Sequence, residues 1–217
     1  MKLLVRLPHY LRLFIAIFRM SRNPEDITQA FEMSDALDNL GLNERMLARL
    51  SSDPECLQVI KSRKRLKEID LHALQKLPEG TFGRIFADHM LHNNLDPNYY
   101  RAPEIKRDID YIVTRNRETH DFWHIVTGFD TSRVGEISIH GFMMAQLETP
   151  ISSILAGGSL FTASLARPQH LTKIWNGITT GYTMGTKAKQ LFATDWESLY
   201  ATPLTEVRER LQLPQVS

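Results

Sequence analysis

The densest chemistry in the chain lies in five consecutive residues, His120-Asp121-Phe122-Trp123-His124. On a helix, side chains four positions apart project from one face, a turn from each other. Two imidazoles so spaced can bind one ion. Glu136 follows just beyond a glycine-containing turn, so the chain can double back and supply a third donor. Asp121 is about 100° round from His120 on an ideal helix. It is either a fourth metal ligand, if the helix is irregular there, or the acceptor that fixes the tautomer of a ligating imidazole. The expected cofactor is a divalent metal, zinc first, with magnesium, manganese, iron or cobalt as alternatives. The bland alternative is a half-buried histidine pair without an ion.

Two arginines flank this centre. Arg117 precedes His120 by three residues, and Arg133 precedes Glu136 by three. Guanidinium groups beside a metal suit a carboxylate or phosphate, which makes Arg117, Arg133 and Asp121 the candidate catalytic residues. Otherwise the arginines pair with the ligand carboxylates or with Glu118. Residues Thr149 to Ala166 carry no charge. This stretch is either a buried helix kinked at its glycines or the wall of an apolar channel, with Ile154, Gly157, Gly158 and Phe161 against a long ligand. Gly177, Gly181 and Gly185 lack the spacing and lysine of a phosphate loop; close helix packing or a turn is the expectation. Cys56, among Leu57, Val59 and Ile60, reads as a small core residue.

The elements that must position these groups read as helices. Asn23-Pro24-Glu25-Asp26 is a start signal for a helix through Phe31 and Met33 to Leu40, ended by Gly41. Asp53-Pro54-Glu55 repeats the signal before Leu57 to Leu66, and Asp70 can cap Leu71 to Leu77. Pro78-Glu79-Gly80 is a turn, and a helix is predicted from about Phe82 to His92. The motif helix runs from Asp108 to a stop at Thr127-Gly128. Thr131 or Ser132 starts the next, Pro150 opens another, and Thr202-Pro203 starts the last. The alternation over Glu136–His140 is too short to make a sheet. The fold class is therefore all-α: an irregular multi-helix single domain. A soft boundary divides an N-terminal helical region, 1–77, from the region with the metal motif, 78–217. The basic run Lys61, Arg63, Lys64, Arg65, Lys67 reads as a solvated helix face.

The chain has 217 residues, 42% hydrophobic and 24% charged, which suits a globular protein with a sizeable core. A net charge of +1 gives no reason to expect nucleic acid as a partner. One cysteine precludes an intrachain disulfide and fits a reducing compartment. The first 24 residues are basic (Lys2, Arg6, Arg12, Arg19, Arg22), with no acid before Glu25. Leu11, Phe14, Ile15 and Phe18 share one helical face, in a helix expected to begin at Pro8. The segment is too short to span a bilayer and lacks a signal-peptide cleavage pattern. It is an amphipathic helix packed on its own domain, a helix that docks on anionic lipid, or a transit peptide.

The spacing His120-Asp121-x-x-His124, eleven residues, Glu136 resembles the signature of the fourth coenzyme Q biosynthesis protein family. Pro78-Glu79-Gly80-Thr81-Phe82-Gly83, Arg117-Glu118, Gly135-Glu136, Gly185-x-Lys187-Ala188 and Trp196-Glu197 are similar to its flanking pattern. The resemblance implies a mostly helical, zinc-type protein, peripheral to the membrane where quinone is made. That would be the cytoplasmic face in a bacterium or the matrix face of the mitochondrial inner membrane. It implies a polyprenylated quinone precursor or isoprenoid lipid as ligand, other quinone-biosynthesis proteins as partners, and a homo-oligomer. The role is either to organise the biosynthetic complex or to remove the ring carboxylate and install oxygen at carbon one. A scaffold with a structural metal is the second reading. The third is a metal-dependent phosphohydrolase, which would need further ligands such as Asp88, His89 or His92 near His120.

Overall fold

Local capping chemistry sets several helix boundaries. Asp53 accepts hydrogen bonds from the Glu55 and Cys56 amides, and Pro54 follows as the first helical residue. Asp70 accepts from the Ala73 amide. Each carboxylate satisfies donors that a helix start leaves unpaired. At the other ends Gly41 and Gly128 adopt positive φ, of 70° and 77°, where a side chain would be strained.

The computed structural model describes residues 2–22, 27–99 and 105–214. Its helices are α1 (Lys2–Arg22), α2 (Ile27–Asn39), α3 (Glu44–Ser51), α4 (Pro54–Ser62), α5 (Leu71–Leu74), α6 (Phe82–His92), α7 (Asp108–Thr127), α8 (Arg133–Leu147), α9 (Pro150–Ala166), α10 (Leu171–Lys187) and α11 (Leu204–Arg210). Among the described residues there is no strand beyond an isolated Thr81–Pro203 bridge, so the protein is all-α. The Asn23–Asp26 start signal lies outside the described residues. No described helix is long and apolar enough to cross a membrane. The chain divides into two units, each built from two stretches: Met1–Arg49 with Arg133–Thr183, and Leu50–Ser132 with Met184–Ser217.

In the first unit, α1 and α2 bury Leu13, Ala16, Met33, Ala36, Leu37 and Leu40, and Ile151, Ile154 and Leu155 of α9 pack on this cluster. A second cluster joins Ile137 of α8, Ala156 of α9 and Ile178 of α10. α8 and α10 approach backbone to backbone. A Cβ on Gly141 would collide with the Ile178 carbonyl, and one on Gly181 with the Ser138 carbonyl. The four-residue glycine spacing thus makes room for close helix packing at Gly177 and Gly181.

In the second unit, α6 and α7 meet through Phe86 and Phe122, whose ring centroids are 4.5 Å apart. Phe82, Trp196 and Tyr200 complete the aromatic cluster. The Pro78–Gly83 turn is pinned to the C-terminal segment: the Phe82 and Gly83 amides donate to the Thr202 and Tyr200 carbonyls, both at 2.9 Å. Gly83 has no space for a side chain, because a Cβ there would lie 2.9 Å from the Tyr200 carbonyl oxygen. Cys56 is fully buried.

Two local expectations need correction. α1 begins at Lys2, so Pro8 sits inside it. Pro8 is the seventh residue of α1, so it forfeits an intrahelical hydrogen bond and crowds the carbonyl one turn back. α4 ends at Ser62, with Arg63 left-handed at φ 49°, so the basic run is not a helix face. It ties this stretch to α7 and to the C-terminal segment: Lys61 and Arg63 pair with Asp108, Arg65 with Glu118, and Lys64 with Asp195. No start or stop signal marked a helix where α10 forms, and of the two alternatives for its glycines close helix packing is the one that Gly177 and Gly181 make.

Candidate metal centre

α7 carries the motif in its last two turns. Its start is held by Asp110, whose carboxylate accepts from the Arg107 amide at 2.8 Å. Its end is sealed by Arg208, which is buried and donates to the Val126 and Ile125 carbonyls at 2.9 and 3.1 Å. These carbonyls belong to the orphan acceptors of a helix C-terminus, where a cation also meets the negative end of the helix dipole. A second buried arginine, Arg115, donates to the Phe192 and Thr194 carbonyls, each at 2.7 Å. The helix bearing the histidines is therefore clamped near both ends.

The two imidazoles lie one turn apart, with ring centroids 4.8 Å from each other. His124 is buried, and its Nδ1 lies 2.8 Å from the Phe129 carbonyl oxygen. A carbonyl can only accept, so Nδ1 carries the proton and the lone pair is on Nε2. His120 is half-buried, with Nδ1 3.5 Å from Asp121 Oδ1. That contact likewise favours the tautomer with its lone pair on Nε2. Carbonyl or carboxylate behind each ring is the usual support of a ligating histidine. Burial alone would raise the Asp121 pKa. The hydrogen bond from His120 and the fields of His120, His124 and His89 outweigh it, holding the carboxyl below the ordinary carboxylate range.

The same unit brings in a residue that sequence reasoning left unplaced. His89 lies on α6 one turn beyond Phe86, on the side packed against α7, and its ring feels the charges of Asp121 and His124. Burial first, then His124 and His92, lower its pKa against the opposing pull of Asp121. Glu136 stands in the first turn of α8, in the other unit, half-buried, and Arg133 opens that helix exposed to solvent. Arg117 is half-buried on α7. Glu118, one expected partner for the arginines, is paired with Arg65.

The Coenzyme Q (ubiquinone) biosynthesis protein Coq4 family model matches residues 9–217. The chain belongs to the Coq4 family. The mitochondrial ubiquinone biosynthesis protein COQ4 homolog of Nematostella vectensis is 31% identical over 176 residues, covering 77% of this chain and 83% of that protein. The homolog of Rattus norvegicus is 31% identical over 169 residues, and the match spans 62% of its length. A crystal structure of a protein from Nostoc punctiforme PCC 73102 assigned to ubiquinone biosynthesis superposes with a TM-score of 0.83 at 30% identity. It covers 92% of this chain and 96% of that one.

Within this Coq4 chain the four expected tail residues share one face of α9, at i, i+3, i+4 and i+7, but differ in what covers them. Ile154 packs on the α1–α2 core. Gly157 and Gly158 have nothing within 4 Å of a built Cβ, and Phe161 is 67% exposed. Arg115 and Arg208 are the residues that sequence reasoning missed; His89 was named there only as a ligand a phosphohydrolase would need, with no place near the motif. The arginines sit among apolar helical positions, and their carbonyl partners are far away in sequence. His89 follows Phe82 and Phe86 at helical spacing, the one visible hint that it shares their packed face.

Proposed function

We propose that this Coq4 protein holds one divalent cation on His120, His124 and Glu136 and uses it to bind the ring of a polyprenylated intermediate in ubiquinone biosynthesis. The observation that carries the reading is the support behind both imidazoles. Phe129 and Asp121 hold the two Nδ1 atoms, so each ring offers Nε2 as a ligand from the same helix face. Five residues, 128–132, join α7 to α8; such a link spans roughly 20 Å at most, which keeps Glu136 within reach. Two nitrogens and one carboxylate suit zinc, and also cobalt, iron or manganese, better than magnesium.

The bound cation would act as a Lewis acid toward the ring oxygens. Around it the chain's own residues bind and orient. Asp121 fixes the His120 ring. Arg117 and Arg133 are the cations on the ligand-bearing helices that can take a ring carboxylate. The polyprenyl tail follows the open face of α9 past Gly157, Gly158 and Phe161. α1 docks on an anionic membrane surface, as in a peripheral protein of the mitochondrial inner membrane or its bacterial counterpart. Its outward face carries Leu11, Phe14 and Phe18 beside the exposed Arg12 and Arg19, the mixture of an interfacial helix.

Cobalt(II) substitution tests the reading. The visible spectrum of the loaded protein is expected to change when a farnesylated 4-hydroxybenzoate is added, as the ring oxygen takes an open coordination position. An unchanged spectrum with the ligand bound would make the metal structural and the protein a scaffold for isoprenoid lipid.

A further inference from the structure

The histidine outside the motif has a geometry of its own. His89 Nε2 is buried and has no hydrogen-bond partner among the described residues. On the other side of the ring, Nδ1 lies 3.4 Å from Asn93 Nδ2, an amide nitrogen that can only donate. The Asn93 orientation is itself fixed by a second bond, 2.8 Å, to the His89 carbonyl. With Nδ1 accepting, the proton of the neutral ring is on Nε2. A buried N–H without an acceptor is costly unless something fills the place. Phe86, one turn earlier, packs on Phe122, so His89 continues the contact of α6 with the turn of α7 that carries Asp121 and His124.

We propose that His89 is a recognition residue of this centre, donating from Nε2–H to the anionic carboxylate oxygen of the ring ligand. The inference rests on the reading of a metal-held ring given above. It adds a donor from a third helix, one that discriminates an acid from its neutral ester. A metal ligand would need a lone pair on Nε2, which the tautomer set by Asn93 does not offer. A hydrogen bond to an ionised acceptor is among the stronger ones.

The test is calorimetric titration of the zinc-loaded full chain with farnesylated 4-hydroxybenzoate and with its methyl ester. His89→Phe is expected to weaken acid binding about tenfold or more while the ester changes by less than about twofold. Zinc stoichiometry is expected to stay unchanged. His89→Gln, whose amide nitrogen can donate from a similar place, is expected to recover most of the acid affinity. Equal losses for acid and ester would reduce His89 to packing, and loss of zinc would make it a ligand; either result overturns the proposal. Acid binding unchanged in His89→Phe removes the role of His89 alone. Failure of the unsubstituted protein to bind acid or ester overturns the metal-held ring itself, and the proposal with it.

Discussion

At the scale of single residues, the geometry of the motif is set by its surroundings. Arg208 takes the last carbonyls of α7 just after His124. Arg208→Leu leaves those acceptors buried and unpaired, at a cost of about 2–4 kcal/mol. A lower Tm together with weaker metal binding is expected. A Tm within a degree of the parent would show that water replaces the guanidinium. Asp108, at the other end of the helix, is held below the usual carboxylate range by hydrogen bonds from Lys61 and Arg63, against a small opposing effect of burial. A depressed carboxyl contributes stability above its unfolded pKa and loses it as pH falls through the folded value. Asp108→Asn is therefore expected to lower Tm at neutral pH, by a shift worth about 1 kcal/mol or less. The difference should shrink as pH falls below the ordinary carboxylate range and vanish once the folded carboxyl is protonated; a gap that persists in strong acid would assign the effect to capping rather than charge.

At the scale of elements, the glycines separate into two kinds. Gly181 of α10 faces the Ser138 carbonyl, and a Cβ added at Gly177 would lie 2.9 Å from Ser138 Oγ. They hold the segment of α8 that carries Glu136. Gly181→Ala is expected to cost about 1–3 kcal/mol or more from overpacking. Gly157→Ala, in open space, is expected to add up to about 1 kcal/mol of helix propensity. Thermal melts of both variants read the contrast, and a neutral Gly181→Ala would refute the close approach. Gly158→Leu fills the open face without a clash; it should weaken binding of a long prenyl ligand and leave metal content intact. Helices ended by local chemistry were legible in the sequence: α6, the stop of α7 at Gly128, and α9 from Pro150. α10 was not, because glycine every fourth residue lowers helix propensity and its compensation is a contact with a distant helix. The His120–Asp121–His124 part of the site was legible because one helix turn sets it. His89 was not, because only the packing of Phe86 on Phe122 brings α6 beside it.

At the scale of the whole molecule, α1 packs through Leu13 and Ala16, while Leu11, Phe14 and Phe18 face outward, Phe14 68% exposed. Phe14→Ser with Phe18→Ser is expected to reduce binding to anionic vesicles without lowering Tm, since neither side chain is in the core. Arg12→Glu should reduce it further at low salt, with the added effect fading as salt rises. Unchanged vesicle binding would assign that face to another partner. The family membership covers nearly the full chain, and its metal reading depends on three side chains that stand on two helices. The most direct test is therefore metal stoichiometry by elemental analysis of the purified chain and of His120→Ala, His124→Ala and Glu136→Ala. One zinc-type ion per chain is expected in the parent, with loss in all three variants at unchanged helical content. Full occupancy in any one of them would contradict the centre proposed here.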